Sequence, residues 1–465
     1  MNERPTVRVA QMRFFPAFIA CAAVLLASPG ARASVAKDAV RSDVGGIDVV
    51  ALRTSVQDVV NVVGSLRAGD DRSPTGDVML ATLTGAMLDK GTTAQDKFAI
   101  AQKLGSVGAT LSFSVDTNTL EIRGKCLRKD LPMLVGLMAE QLRIPAFSEQ
   151  EFEKLKVQLQ GAVQQQQQDT DFRAGDAFSR AIYPVGHPNR QPTAEQMLAN
   201  MGNTTIAEVR QFHEKYYGPT GMRLVIVGDV DPVAAQAEVR KAFSGWTGGS
   251  LPPAATSADA AAEARTETIF MADKTSVSVV LGQATRLRFS DPDSLALRLG
   301  TRIFGSGFAG RLMANVRDKE GLTYGIGASL SGDSFTDGDW RIRAAFAPAL
   351  LDKGLASTRR QLDAWHAEGI TDAELARAKS ELSGTYQVGL ATSAGMAGTI
   401  LAMLNRDMPL EFVDEYPTRV KAITRDEVNG VIRKHLDPAT MTLVKAGTVG
   451  TAGAPAAKST PPASE

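Results

Sequence analysis

The chain is poor in the residues that build metal and disulfide frameworks. Of 465 residues, only 2 are Cys and 4 are His. Two cysteines exclude a disulfide scaffold, a Cys-based zinc ribbon and an iron–sulfur site. Four histidines mean that a His-rich metal site would have to use most of them. No charge of either sign prevails, with 51 Lys+Arg against 51 Asp+Glu, so nothing electrostatic points to nucleic acid. What is present is an ordinary globular balance, 44% hydrophobic and 22% charged. That balance excludes wholesale disorder, and the length predicts two to four domains.

Residues 1–33 resemble a secretory signal. Arg4, Arg8 and Arg13 precede an apolar run from Phe14 to Ala27, and Ala31-Arg32-Ala33 offers a cleavage site before Ser34. The run is short for a membrane span. Cys21 lies in a poor lipobox, so no stable membrane anchor is expected after cleavage. Removal of this segment takes away four arginines and Glu3, leaving 47 basic against 50 acidic residues and one cysteine, Cys126. Cys126 is expected as a small core residue of a strand. Export to a bacterial periplasm, or secretion, follows as the expectation.

The remainder repeats itself. Val209–Val230 and Val428–Val449 align without a gap at an offset of 219, with eight identities that include Pro219/Pro438, Met222/Met441 and Gly228/Gly447. Each copy is expected to be a helix, a Pro-containing turn and an apolar strand. Thr54-Ser55-Val56 and Thr275-Ser276-Val277 are both expected to open strands. Ser148-x-x-Glu151 and Thr371-x-x-Glu374 are both expected to be capping boxes. The mature chain is thus two related halves, 47–247 and 267–447, after an N-terminal segment 34–46. A linker at 248–266, rich in Ala, Pro, Gly and Ser, joins them, and the tail 448–465 is expected to be disordered. Hairpin signals and long helices predict the α+β class, with antiparallel-type sheets covered by helices on one face.

On YYGPTGMRLVIVGDVDP (216–232), RLMANVRDKEGLTY (311–324) and the Tyr183-Pro184-Val185-Gly186-His187-Pro188 loop, the chain resembles the insulinase-type metallopeptidases, which carry an inverted H-x-x-E-H zinc motif. The resemblance covers most of 47–447. It implies a clamshell of two related α+β halves, two such pairs enclosing a chamber for unfolded peptides.

The same resemblance places the zinc motif on a stretch that cannot serve it. Thr82 and Ala86 stand where the two His belong, Gly85 where the Glu belongs, and Ala162 near the third ligand. None is a zinc ligand or a useful base. His213-Glu214 begins like H-E-x-x-H, but Tyr217 replaces the second His. His213 is expected on a helix surface and His187 in a turn. No zinc is therefore expected in this chain.

The family's Arg/Tyr pair, by contrast, is kept as Arg317 and Tyr324. The resemblance implies that Arg317 orients substrate backbone and Tyr324 donates a hydrogen bond to the substrate carbonyl as it becomes an oxyanion. Gly305, Gly307 and Gly310 spell G-x-G-x-x-G, but an amphipathic helix precedes them rather than a strand, which argues against a dinucleotide loop. Gly305, Ser306 and Gly307 are instead candidates for letting a peptide approach bare backbone. The expectation is a non-catalytic subunit that completes the site of a zinc-bearing H-x-x-E-H partner in trans. The alternative is a peptide-binding or assembly protein with no catalytic role.

Overall fold

The computed structural model describes residues 34–74, 76–253 and 264–449. The signal-like segment 1–33, the middle of the linker and nearly all of the tail lie outside the described residues.

Eleven strands among the described residues form two sheets. The first is ordered β1(Val40–Val44), β2(Ile47–Arg53), β6(Met222–Gly228), β3(Val59–Leu66), β5(Leu120–Leu127), β4(Thr110–Val115). The second is ordered β7(Thr266–Phe270), β11(Thr442–Gly447), β8(Val277–Ala284), β10(Asp339–Phe346), β9(Thr323–Ser331). Beyond the extra edge strand β1, the two orders match position by position. Each contains one parallel pair, β2 with β6 and β7 with β11, and is otherwise antiparallel.

The repeated residues have physical reasons. Gly228 and Gly447 end equivalent strands at φ 153° and 145°. A Cβ would lie 2.1 Å from the Val59 carbonyl at the first and 2.7 Å from that of Ser276 at the second. Only glycine lets these neighbouring strands approach so closely. The β4–β5 hairpin turns where Asp116 Oδ1 accepts from the backbone N–H groups of Asn118 and Thr119, at 2.7 and 2.6 Å.

Two details differ from the sequence reading. Thr54–Val56 lies in the turn ahead of β3, which starts at Val59. Thr371 and Glu374 form a full capping box, but Ser148 makes no side-chain cap bond, because Glu151 turns to Lys97 (2.6 Å) and Lys154 (3.1 Å).

The main core of each half lies between one face of its sheet and its own helices. In the second half it is built round Phe304, Trp340 and Trp365, with ring centroids 4.5–6.1 Å apart. Cys126 is buried in the first, and burial pushes its thiol up to about 12.

The other face of each sheet is covered by a helix from the opposite half, so helices flank both faces. Helix Thr170–Ile182 sets Ala174, Ala177 and Phe178 against Val280, Val444 and Ala446 of the second sheet. Helix Ser393–Asn405, 223 residues later, sets Ala397, Ile400 and Met403 against Val63, Val225 and Val227 of the first. Each large side chain buried this way is worth roughly 1.5–3 kcal/mol, so the exchange locks the halves together. No single helix among the described residues is long and apolar enough to cross a membrane.

Candidate functional site

The zinc-motif stretch falls on the helix Leu80–Ala86, under β4 and against the helix Ile206–Tyr216. Thr82 donates its hydroxyl to both carboxylate oxygens of Asp70, at 3.0 Å each. Burial pushes the Asp70 carboxyl up to about 7 despite those bonds. Gly85 is buried, and a Cβ there would meet Val115 Cγ2 at 2.3 Å and Leu120 Cδ1 at 3.1 Å. Ala162 is exposed on the helix Glu149–Gln166.

These residues do not fit a zinc ion. The one hydroxyl is already committed to a carboxylate, and apolar side chains occupy the room a Glu would need. Among the described residues, no three His, Cys, Asp or Glu gather in a way that could hold a metal.

For the histidines one expectation needs correction, and another holds with more added: His187 stands in a turn, its N–H on the Pro184 carbonyl at 3.2 Å. His213 is half-buried rather than free on the helix surface: its Nε2 lies 2.8 Å from the Leu142 carbonyl and its ring packs on Phe147 and Tyr217, so burial lowers its pKa. His187 is more than a turn residue. It is buried, stacks on Tyr183 with centroids 4.3 Å apart, and meets Asp337 across the two halves at 3.2 Å. Tyr183 donates to Asp339 in the same seam, at 3.0 Å.

The second half gathers its candidate residues at the free edge of its sheet. Arg317 lies on a short π-helical segment, Met313–Lys319, a distortion that recurs at functional sites. Gly321, at φ 64°, returns its N–H to the Arg317 carbonyl at 2.9 Å and lets the chain enter β9. A bulge against Ala344–Phe346 then re-aims the start of β9. Tyr324 emerges 88% exposed.

Arg317 lies over the Tyr324 ring, 5.0 Å from its centroid, and over that of Phe308 at 5.2 Å. Its one ion-pair partner among the described residues is Asp318, at 3.9 Å. Most of its donors are therefore available to a ligand.

The glycine loop lies beside them. Gly305 closes the helix Ser294–Gly305, and a Cβ there would lie 2.3 Å from the Ala328 nitrogen of β9. Gly305 thus seats the loop on the sheet edge, whereas Ser306 and Gly307 are exposed. No βαβ unit surrounds the loop. Two members of this arrangement escaped the sequence reading. Arg311 grips Glu374 with two bonds, at 2.6 and 2.7 Å, and holds the Glu374 carboxyl down at about 2. Phe308 stands 74% exposed beside Arg317. Its position inside the glycine run was the only sequence signal.

The site is an open wall. A cavity of about 580 Å³ between the halves is lined by Arg67, Arg72, Arg223 and the β9–β10 hairpin tip, not by Arg317 or Tyr324.

Comparison with known proteins places this architecture. Residues 63–192 match the model of the insulinase family, peptidase family M16, and residues 203–382 match that of the peptidase M16 inactive domain. The chain belongs to this family.

It is 24% identical over 360 residues to an uncharacterized zinc protease of Streptomyces coelicolor, covering 75% of this chain and 76% of that one. It is 21% identical over 386 residues to the non-peptidase homolog YmxG of Helicobacter pylori, covering 80% and 85%. A solved peptidase M16 inactive domain from Pseudomonas fluorescens superposes with a TM-score of 0.83 at 24% identity, over 90% of this chain and all of that one. The periplasmic protease PqqL of Escherichia coli superposes with a TM-score of 0.72 at 16% identity, over 89% of this chain but 45% of that longer one.

Proposed function

We propose that this chain is the non-catalytic subunit of a two-chain zinc metallopeptidase. A partner chain with H-x-x-E-H holds the zinc and the water it activates. This chain supplies the facing wall: Arg317 binds the backbone of a small or unfolded polypeptide, and Tyr324 donates to the carbonyl oxygen as it gains negative charge. Such a donor contributes about 3 kcal/mol to a transition state. The periplasm, or the exterior, is the proposed compartment, on the strength of residues 1–33.

The observation that carries this reading is an asymmetry. Residues unable to hold zinc fill the motif stretch, while Tyr324 stands exposed and the half-buried Arg317 beside it keeps most of its donors unspent. A chain with no catalytic role has no evident reason to keep the Tyr324 hydroxyl and the Arg317 donors free for a ligand. The name of the Helicobacter pylori relative, a non-peptidase homolog, favours the second reading, a peptide-binding or assembly protein on the same fold.

Co-purification from cells expressing this chain with an H-x-x-E-H homologue of its own organism separates the two. A stable complex that hydrolyses an unfolded protein faster than the homologue alone supports the first reading. A complex with unrelated proteins and no stimulation supports the second.

A further inference from the structure

We propose that Phe308 is a specificity-determining residue of this wall. Its ring receives an aromatic or long aliphatic side chain of the bound peptide and holds the Arg317 guanidinium in place. The inference rests on the peptide-binding reading above and adds the side-chain class that the wall prefers.

The loop that carries Phe308 is anchored at both ends. On one side, Gly305 sits against β9 so closely that no Cβ fits. On the other, Ala309 offers its carbonyl to Arg377 Nη2 at 3.0 Å, and Arg311 is held by Glu374 and by the Gly369 carbonyl at 2.9 Å. Between these anchors Gly307 takes φ 67°. A loop tethered so tightly could have tucked its one large apolar side chain into the core. It instead leaves Phe308 74% exposed.

The neighbours give that exposure a chemical sense. The Arg317 cation lies 5.2 Å from the Phe308 ring centroid and 5.0 Å from that of Tyr324. A guanidinium shared by two rings keeps a restricted orientation while its N–H edges stay free. Carbonyls of an extended peptide satisfy those edges, and the exposed ring beside them gains by covering itself with apolar surface. Charged or small side chains offer no such cover.

The test uses the whole purified chain and two fluorescein-labelled Gly/Ser peptides that differ only in a central Phe or Ser. Fluorescence anisotropy should show the Phe peptide bound about tenfold more tightly, the scale of discrimination an apolar pocket provides. Phe308→Ala should erase that difference, and Phe308→Leu should retain part of it. In Phe308→Trp, the introduced indole should shift its emission to the blue and resist acrylamide quenching when the Phe peptide is added.

A preference that survives Phe308→Ala, an indole indifferent to the peptide, or a wild-type chain that binds neither peptide overturns the inference. The two-chain reading is judged separately, by hydrolysis with the wild-type chain and its partner. If stimulation persists while the preference ignores Phe308, only the present inference falls.

Discussion

A Cβ on Gly85 would lie 2.3 Å from Val115 Cγ2, closer than two carbons can stand. The helix and the edge strand are closed over the position that the resemblance gives to the motif's Glu. On that alignment, core packing as well as residue type stands against a zinc motif here.

Grafting H-x-x-E-H back through Thr82→His, Gly85→Glu and Ala86→His should then fail to create a zinc site. Overpacking of this kind costs about 1–3 kcal/mol. Thermal unfolding should move to lower temperature, and elemental analysis after dialysis should find far less than one zinc per chain. Stoichiometric zinc in the grafted protein would contradict this picture.

The pairing of Arg311 with Glu374 makes stability sensitive to acid. The folded carboxyl, held at about 2, lies below its unfolded value near 4.5. The contribution is fully present above pH 4.5 and is lost as pH falls towards 2. Glu374→Gln should lower stability at neutral pH by about 1–2 kcal/mol, allowing for partial exposure of the pair. It should also flatten the acid limb of a urea midpoint plotted against pH.

Asp70 acts with the opposite sign. Its folded value of about 7 exceeds the unfolded value of 3.8, so the folded chain holds the proton that the unfolded chain releases. The associated stability is present below pH 4 and is lost as pH rises to 7. Asp70→Asn keeps an acceptor for Thr82 and should raise stability at pH 8 by about 2 kcal/mol. The gain should vanish near pH 4, as read from denaturant midpoints at the two values.

The exchanged helices predict cooperative behaviour. Residues 34–253 produced alone keep the helix Thr170–Ile182 but lose the Ile400 and Met403 cover from the face of Val63, Val225 and Val227. They should aggregate on size-exclusion chromatography. In the full chain, Phe178→Ala should cost about 3–5 kcal/mol and leave a single unfolding transition in calorimetry, because the side chain of one half is core of the other.

Much of this was legible in the sequence. The repeated Pro-turn and Gly-ended strand marked the two halves, since Gly228 and Gly447 obey a backbone constraint that spacing reveals. The hairpin at Asp116–Asn118 was legible for the same reason. The helix exchange was not, because a side chain facing its own sheet and one facing the other half's sheet are equally apolar. Glu151 took the form of a capping residue and went to lysines instead, a tertiary choice invisible in the motif. Arg317 and Tyr324 came from resemblance. The exposed Phe308 and Tyr324 rings flanking Arg317 were not legible there, because a lone Phe in a glycine run carries no periodic signal.

The most direct test is the initial rate at which a purified H-x-x-E-H partner hydrolyses fluorescein-labelled casein, with the wild-type chain or with Tyr324→Phe added at saturation. The account predicts that the wild-type chain raises the rate. Tyr324→Phe should form the same complex and lower that rate about 10- to 100-fold, as loss of one oxyanion donor does. A wild-type chain that adds nothing, or a Tyr324→Phe complex as fast as wild type, would contradict the claim that this chain completes a divided active site.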